Sequence, residues 1–208
     1  VGWNKNGVAQ EFDITIPGTI HHSSGLATMG FGPSAVLGGK VAAPDKIVIN
    51  LTGDGGFGIN PSCLATAVEH GIACTWVVMN NSAFGTIAGL ENANYKTKFG
   101  TVFYKPDGER YTICWADVAK SYGIESICVN SAEEFKPALE KAIAANKEGR
   151  PFLVEAPMEN IVVPTPGCWN INDIYTPNAL VKEGKLVKKE NGRYVAPSHS
   201  KSHDGCLN

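Results

Sequence analysis

The sequence lacks an excess of charge of either sign, and it lacks long apolar runs. It has 18 lysine and arginine residues against 20 aspartate and glutamate residues, which gives a formal net charge of −2. This balance provides no positive field for nucleic acid or for an anionic membrane surface. No apolar run approaches the roughly 20 residues that cross a bilayer. We therefore expect neither nucleic acid nor a membrane as a partner.

The cysteines form neither a metal-binding pattern nor a disulfide pattern. The sequence has 6 cysteines, scattered along its length with no CxxC spacing. Cysteines scattered in this way, in a chain long enough for a sizeable core, are typical of reduced thiols with structural roles. We therefore expect an intracellular protein, and we place it in the cytoplasm.

Short apolar runs alternate with longer amphipathic segments through most of the chain. Runs bounded by glycine, proline and polar residues indicate buried strands, and the segments between them indicate helices. Strands are predicted at 46–51, 74–79, 124–129 and 151–155, and helices within 24–40 and near 61–70, 83–91, 114–122 and 131–146. This alternation predicts an α/β fold, in which a parallel sheet carries helices on both faces.

Capping patterns predict where two of these helices begin. Asn60 precedes Pro61 and is expected to cap the helix at 61–70. Ser131 followed by Glu134 has the spacing of a capping box, in which both side chains accept hydrogen bonds from backbone N–H groups of the first turn. The chain therefore carries local signals for two helix N-termini.

The chain is predicted to divide into two regions. Residues 1–180 form the α/β domain, and because the sequence begins abruptly at Val1 we expect this domain to lack its first elements. Residues 181–208 are polar and rich in lysine, which is typical of a tail or a marginal hairpin. The chemistry is therefore expected in the first region.

Two polar motifs follow the first two predicted strands. GDGG occupies 53–56 and NN occupies 80–81. Since ligands bind outside the carboxyl ends of the strands in open parallel sheets, we expect both motifs at one crevice. Mg²⁺ prefers octahedral oxygen coordination with one or two carboxylates, completed by phosphate and water. Asp54, the Asn81 amide and the Ala83 carbonyl would supply ligands, and the glycines would let backbone N–H groups approach a diphosphate.

Two further stretches accompany these motifs, GLATMGFG at 25–32 and LATAVE at 64–69. Together with GDG and NN, they resemble the cofactor-diphosphate domain of thiamine-diphosphate-dependent, acetolactate-synthase-like enzymes. The resemblance covers residues 1–165 and is specific at 25–85. It implies the thiamine-diphosphate-binding fold.

The resemblance also implies roles for the matching residues. Asp54, Asn81 and the Ala83 carbonyl would bind Mg²⁺, which would hold the diphosphate of thiamine diphosphate. The Ala27 carbonyl would accept a hydrogen bond from the cofactor's amino group and Met29 would keep the cofactor bent, so these two are the catalytic candidates. The implied cofactor-binding residues are Ser24, Gly25, Ala27, Met29, Gly53, Asp54, Gly55, Gly56, Asn81, Ala83, Phe84 and Gly85.

The sequence departs from the family pattern at three places. The family typically has a histidine between the positions of Gly2 and Ala9, and none stands there in this sequence. Ala27 replaces the usual glycine, which we expect to be tolerated because the carbonyl is the group that is used. Gly89-Leu90 stands where acetolactate synthases have a Gln-Trp pair that shapes acceptor preference. We expect Ile87 and Leu90 to line the substrate side, and the donor and acceptor stay open.

The catalytic glutamate of the family comes from a pyrimidine-binding domain, which usually belongs to a neighbouring subunit. No stretch of this sequence resembles that domain. The resemblance therefore implies an active site completed by another chain or a missing segment, in a homo- or hetero-oligomer such as a dimer or tetramer. Flavin in relatives lies largely in a further domain, so the sequence leaves FAD open.

The function implied is thiamine-diphosphate- and Mg²⁺-dependent C–C bond cleavage or carboligation of a 2-oxo acid or related ketone, by a lyase or transferase. A second enzyme reading is a 1,2-dione hydrolase or a 2-hydroxyacyl-CoA-type lyase on the same scaffold. A reading of another class is a non-catalytic diphosphate-binding regulatory subunit. We rank this last reading low, because the stretch at 25–32 that would support a bent cofactor is present.

Other conspicuous residues carry a less specific signal. Asn80 is interpreted as a strand-end residue rather than a ligand, and Trp76 as a core residue. The histidines at 21–22 are interpreted as a loop near the cofactor mouth. Cys168-Trp169 is interpreted either as a lid over the site or as a turn packed on the core.

Overall fold

The computed structural model divides into two compact units. They comprise residues 1–88 with 98–162, and residues 89–97 with 163–208. The residues described within them are 2, 4, 7–8, 12–23, 25–159, 181–184, 186–188, 194–195 and 197. None of the helices among these residues combines the length and apolarity that a bilayer span requires. The sequence-based division at residue 180 stays a prediction.

The larger unit is built on a parallel sheet. Its strands are β1 (Ile49–Gly53), β2 (Thr75–Asn80), β3 (Glu125–Cys128) and β4 (Phe152–Pro157). They form a 4-stranded sheet in the order β1-β2-β4-β3, and every neighbouring pair is parallel. The predicted α/β fold with a parallel sheet is confirmed. β1 ends later than predicted because Gly53 still pairs with Met79, so the strand runs into the GDGG motif.

Helices among the described residues of the chain precede, connect or follow these strands. They are α1 (Phe31–Ala42), α2 (Asp54–Phe57), α3 (Cys63–Glu69), α4 (Gly85–Tyr95), α5 (Trp115–Ser121) and α6 (Ala132–Lys147). The short helix α2 follows β1 directly, so the GDGG motif is the junction of a strand and a helix. In the smaller unit, β5 (Val187–Lys188) and β6 (Tyr194–Val195) pair antiparallel.

The two faces of the sheet bury separate apolar clusters. One face packs against α1, α3 and α5 and contains Trp76, which is fully buried and whose Nε1 donates to the Pro33 carbonyl at 3.0 Å. The other face packs against α6 and contains Val77 and Phe152. Both faces are therefore covered, and the prediction that Trp76 is a core residue is confirmed. Gly39 helps α1 lie close to the sheet, because a Cβ there would be 3.2 Å from Val48 Cγ1.

The predicted cap of the helix after the first motif is wrong. α3 begins at Cys63 rather than Pro61, and its N-cap residue is Ser62. The Asn60 side chain is engaged elsewhere, since its Nδ2 donates to Ser34 Oγ at 2.6 Å and its Oδ1 accepts from Ser62 Oγ at 2.7 Å. Asn60 therefore ties the turn before α3 to α1 instead of capping α3.

The capping box predicted at the start of α6 does not form, because Glu134 accepts a hydrogen bond from a different N–H group than predicted. Ser131 is the N-cap residue as expected, but it makes no side-chain cap hydrogen bond to the helix backbone. Glu134 Oε2 accepts from the Asn130 N–H at 2.8 Å, one residue earlier than a capping box requires. The sequence pattern located this helix start correctly but assigned the carboxylate to the wrong N–H group.

Candidate functional site

The GDGG motif buries its aspartate at the end of β1. Gly53 is extended, and Asp54 begins α2 with only 4% of its surface exposed. Burial raises the pKa of the Asp54 carboxyl, and hydrogen bonds from the backbone N–H groups of Gly55, Ala83 and Ser82 oppose that rise. The carboxylate is therefore held by N–H groups from the first motif and from the turn that follows the second motif, and the structure brings these together at one edge of the sheet.

The turn after β2 is pinned to a segment far along the chain. Ala83 forms an antiparallel bridge with Val102, and the Phe84 N–H donates to the Thr101 carbonyl at 2.8 Å. The Phe103 N–H donates to the Ser82 carbonyl at 3.1 Å. Ser82 has a φ of 51°, a left-handed conformation that non-glycine residues rarely adopt. The shape of the turn at 81–84 is therefore set by non-local contacts.

Asn80 anchors this turn from the end of β2. Its Nδ2 donates to Glu155 Oε1 at 2.7 Å and to the Ile113 carbonyl at 2.9 Å. Its Oδ1 accepts from the Ser82 N–H at 3.2 Å. These contacts occupy both ends of the amide, so Asn80 has the strand-end role expected of it and the adjacent Asn81 is left as the candidate ligand.

Glu155 is a buried carboxylate that sequence reasoning missed. It lies in β4 with 2% of its surface exposed, and besides Asn80 it accepts from the Ala116 N–H at 2.8 Å and the Cys114 Sγ at 3.6 Å. A buried charge must be paired or neutralised. A glutamate inside the apolar run at 151–155 was therefore a signal that a polar network lies behind the second motif.

The Met29 side chain lies close to Gly55 of the first motif. A Cβ at Gly55 would be 2.7 Å from Phe84 Cε1 and 3.2 Å from Met29 Cε, so only glycine fits without a shift of these side chains. Phe84 in turn makes an edge-to-face contact with Phe103, with ring centroids 5.0 Å apart. Two predicted cofactor-binding residues, Met29 and Phe84, therefore meet a third at Gly55.

The structure revises the reason given for tolerating alanine at position 27. Ala27 has a φ of 48°, in the left-handed region that glycine adopts without steric cost. For other residues this conformation costs roughly 1–2 kcal/mol. The choice between glycine and alanine therefore matters at Ala27 whether or not its carbonyl is used. Neighbouring Gly25 is also left-handed, while Ser24 lies outside the described residues.

The remaining predicted residues are less informative about the site. Gly56 lies in α2, where a Cβ would be 2.8 Å from Thr52 Oγ1. Gly85 begins α4, which also carries Ile87 and Leu90, and the Ile87 side chain is exposed. Leu90 belongs to the smaller unit. The histidines at 21–22 are exposed, and Cys168-Trp169 lies outside the described residues.

The oxygen donors suit a hard divalent cation that shares its coordination with phosphate. Among the described residues, no three histidine, cysteine, aspartate or glutamate side chains gather at a possible metal site. A cation here would instead use the Asp54 carboxylate, the Asn81 amide oxygen and the Ala83 carbonyl. One carboxylate supplemented by neutral oxygens, phosphate and water is the donor set in which Mg²⁺ is commonly held. These residues fit Mg²⁺ bound to a diphosphate.

Comparison with known proteins identifies the family. A family model described as "Thiamine pyrophosphate enzyme, C-terminal TPP binding domain" matches residues 1–156. The chain belongs to the thiamine pyrophosphate enzyme family. The match includes both polar motifs and the stretch at 25–32, so the resemblance inferred from the sequence is confirmed. Enzyme status and the use of thiamine diphosphate follow at the level of the family.

Individual relatives within this family differ in their named reactions. A probable acetolactate synthase large subunit from Methanocaldococcus jannaschii is 34% identical over 169 residues, which cover 80% of this chain and 27% of that protein. A 3D-(3,5/4)-trihydroxycyclohexane-1,2-dione hydrolase from Bacillus velezensis is 35% identical over 127 residues, covering 61% of this chain and 20% of that protein. The family model names the cofactor, and the names of the matched relatives give different reactions.

A solved structure has the same fold. It is the thiamine diphosphate-dependent 4-hydroxybenzoylformate decarboxylase of Rhodococcus jostii, with a TM-score of 0.55 and 27% identity. The match covers 65% of this chain and 24% of the decarboxylase. The chain therefore spans only about a quarter of the length of its relatives.

Proposed function

We propose that this chain is the diphosphate-binding part of an enzyme that uses thiamine diphosphate and Mg²⁺ to cleave or form C–C bonds at the carbonyl of a 2-oxo acid. One observation carries the proposal. The buried Asp54 carboxylate lies where the two strand-end turns meet and accepts N–H groups from both of them. The proposal is supported by the family membership and by the similarity to a probable acetolactate synthase.

The residues of this chain would bind and orient the cofactor. Asp54, Asn81 and the Ala83 carbonyl would hold Mg²⁺ and, through it, the diphosphate. Met29 would support the bent cofactor from its position beside Gly55, and the Ala27 carbonyl would accept a hydrogen bond from the cofactor's amino group. When bound, thiamine diphosphate supplies the electron sink that makes cleavage next to a carbonyl possible.

The rest of the active site would come from outside this chain. We propose that a pyrimidine-binding domain, on another subunit or another segment, supplies the catalytic glutamate in a homo- or hetero-oligomer. The short coverage of the relatives supports this proposal, since the matching region is about a quarter of their length. Ile87, on α4, is proposed to line the substrate side, and the same role for Leu90 stays a prediction from the sequence.

Titration calorimetry with thiamine diphosphate tests the cofactor assignment. We expect saturable binding in the presence of Mg²⁺ that disappears when EDTA removes the metal. The protein should be used together with any chain that co-purifies with it, because the pyrimidine ring is expected to bind there. Equal affinity with Mg²⁺ and with EDTA would contradict the proposed metal site.

Product analysis separates the enzyme readings. The similarity to a dione hydrolase favours, as a second candidate, hydrolytic opening of a cyclic 1,2-dione. Pyruvate, glyoxylate and a cyclic 1,2-dione would each be supplied to the cofactor-loaded protein. Release of CO₂ with a carboligated product supports the first reading, and a ring-opened acid supports the second. Tight cofactor binding without turnover of any substrate class would favour a non-catalytic regulatory subunit.

A further inference from the structure

The segment that pins the second turn is a hairpin with an arginine on its return strand. Tyr104 and Arg110 form an antiparallel bridge, and the Lys105 N–H donates to the Glu109 carbonyl at 2.8 Å. The Tyr111 N–H closes the base of the hairpin by donating to the Phe103 carbonyl at 3.0 Å. Arg110 is therefore held at a fixed position opposite Tyr104.

The Arg110 guanidinium contacts the backbone of the turn at 81–84. Its Nη2 donates to the Asn81 carbonyl at 2.7 Å and approaches the Ser82 carbonyl at 3.4 Å. The guanidinium carbon also lies 5.7 Å from the centre of the Tyr104 ring, within the range of a cation–π contact. The cation is thus fixed on one side by an aromatic ring and on the other by two carbonyl oxygens.

These carbonyls belong to the part of the turn that needs support. Ser82 is buried and left-handed, with a φ of 51°. The Ser82 N–H donates to Asn80 Oδ1 at 3.2 Å and the Ala83 N–H points to the Asp54 carboxylate, while the Asn81 and Ser82 carbonyls face Arg110. The peptide group between Ser82 and Ala83 is therefore polarised between an anion at its N–H and a cation at its carbonyl, which fixes its direction.

We propose that Arg110 is a positioning residue for the cation-binding turn: by holding the Asn81 and Ser82 carbonyls, it sets the direction in which the Asn81 amide oxygen and the Ala83 carbonyl face the metal. This inference rests on the proposed function for its metal. It acts through the backbone, so no contact between Arg110 and the cofactor is required. Outer groups of this kind typically change metal affinity about 10- to 100-fold when removed.

The chemistry of arginine suits this role better than that of lysine. A guanidinium presents several N–H donors in a rigid plane, so it can serve two neighbouring carbonyls while its face stays against an aromatic ring. A lysine ammonium is a point charge on a flexible stem. Arg110→Lys should therefore keep the positive charge but hold the Asn81 and Ser82 carbonyls only in part. Arg110→Met removes both the charge and these contacts.

The same hairpin supplies a matched control. Lys105 is exposed and its Nζ pairs with Glu109 Oε2 at 2.8 Å, one residue beyond the Tyr104–Arg110 bridge on each strand of the hairpin. Lys105→Met removes one positive charge from the same hairpin without touching the Asn81 or Ser82 carbonyl. A general loss of positive charge near the site would affect both variants, while loss of the carbonyl contact affects only Arg110→Met.

Two measurements on the full chain, with any co-purifying partner, test the proposal. Amide hydrogen exchange without cofactor reports the order of the Ser82 and Ala83 N–H groups. We expect at least about tenfold faster exchange there in Arg110→Met, an intermediate rate in Arg110→Lys and an unchanged rate in Lys105→Met. Titration of Mg²⁺ at saturating thiamine diphosphate should give a dissociation constant raised about 10- to 100-fold in Arg110→Met.

The outcomes separate this inference from the proposed function. If wild type binds no Mg²⁺ with thiamine diphosphate, the proposed function fails, while hydrogen exchange still decides whether Arg110 orders the turn. If Arg110→Met keeps the wild-type exchange rates at Ser82 and Ala83 and the wild-type affinity for Mg²⁺, the inference is overturned. Equal losses in Arg110→Met and Lys105→Met, or faster exchange without weaker Mg²⁺ binding, would also overturn it. If Arg110→Met does not fold, Arg110→Lys decides by the same two measurements.

Discussion

The turns at 54–57 and 81–84 meet at the Asp54 carboxylate, but different kinds of contact set their shapes. The turn at 54–57 is local: it continues β1 into α2, and the Gly58 N–H donates to the Asp54 carbonyl at 2.8 Å. The turn at 81–84 depends on distant partners, among them the hairpin arginine Arg110 and, through Asn80, the buried Glu155. The backbone path of the first turn therefore follows from a short motif, whereas that of the second turn depends on distant parts of the fold.

Replacing Asp54 should have the largest effect on binding. Asp54→Ala removes the carboxylate that both turns share, so we expect Mg²⁺-dependent binding of thiamine diphosphate to fall by more than about 100-fold, the upper range for loss of a group near a metal. Titration calorimetry measures this. Asp45→Ala, an exposed aspartate before β1, is the control and should bind normally. Unchanged affinity in Asp54→Ala would contradict the site.

Removing the support behind the second turn should lower stability strongly. Glu155→Ala leaves the Asn80 Nδ2 without one acceptor and the Ala116 N–H without its carboxylate, and each buried unpaired donor costs about 1–3 kcal/mol. Urea denaturation should show this loss in the free energy of unfolding. Glu140→Ala, on the exposed side of α6, should change it little. Equal stability of the two variants would show that the network behind Asn80 contributes nothing.

Replacing the left-handed Ala27 should have a smaller effect, which raises stability instead of lowering it. Ala27→Gly relieves a strain of roughly 1–2 kcal/mol, and greater freedom of the unfolded chain offsets part of it, so we expect a net gain of up to about 1 kcal/mol. Thr28→Gly, at an exposed position with no positive φ, should instead destabilise the protein. Thermal unfolding measures both. A lower melting temperature for Ala27→Gly than for wild type would contradict the proposal that Ala27 is strained.

The smallest effect concerns the reactivity of cysteine thiols near the two turns, which we expect to differ without a consequence for function. Burial raises the pKa of Cys63 to about 11 and that of Cys74 to about 12, so these thiols stay protonated at neutral pH. Desolvation also raises the pKa of Cys114, which lies beside Glu155, but this thiol is exposed and the other two are buried. Iodoacetamide at pH 8 should therefore label Cys114 before Cys63 and Cys74, as read by peptide mass spectrometry. Faster labelling of Cys63 would mean that the core beneath α3 opens.

The sequence predicted the parts that depend on short-range patterns. The parallel sheet followed from alternating apolar runs, and the meeting of the motifs at 53–56 and 80–81 followed from their places at two strand ends. The Asn60 cap failed because its amide is engaged by Ser34, which lies on another helix. A contact of that kind leaves no mark in a local pattern.

The supports of the second turn were beyond prediction for the same physical reason. Arg110 contacts the turn and Glu155 contacts Asn80 just before it, both across long stretches of sequence, and neither forms a motif with the residues that it holds. A charged residue in an apolar strand was a usable signal for Glu155. Arg110 lies in an exposed loop rich in charged residues, where nothing in the sequence distinguishes it from Lys105.

A crystal structure with thiamine diphosphate and Mn²⁺ in place of Mg²⁺ tests the central claim most directly, because the anomalous signal of manganese locates the ion. The account predicts one ion within bonding distance of an Asp54 carboxylate oxygen, the Asn81 amide oxygen and the Ala83 carbonyl, and also bound to the diphosphate. A manganese ion and a diphosphate found away from all three residues would contradict it.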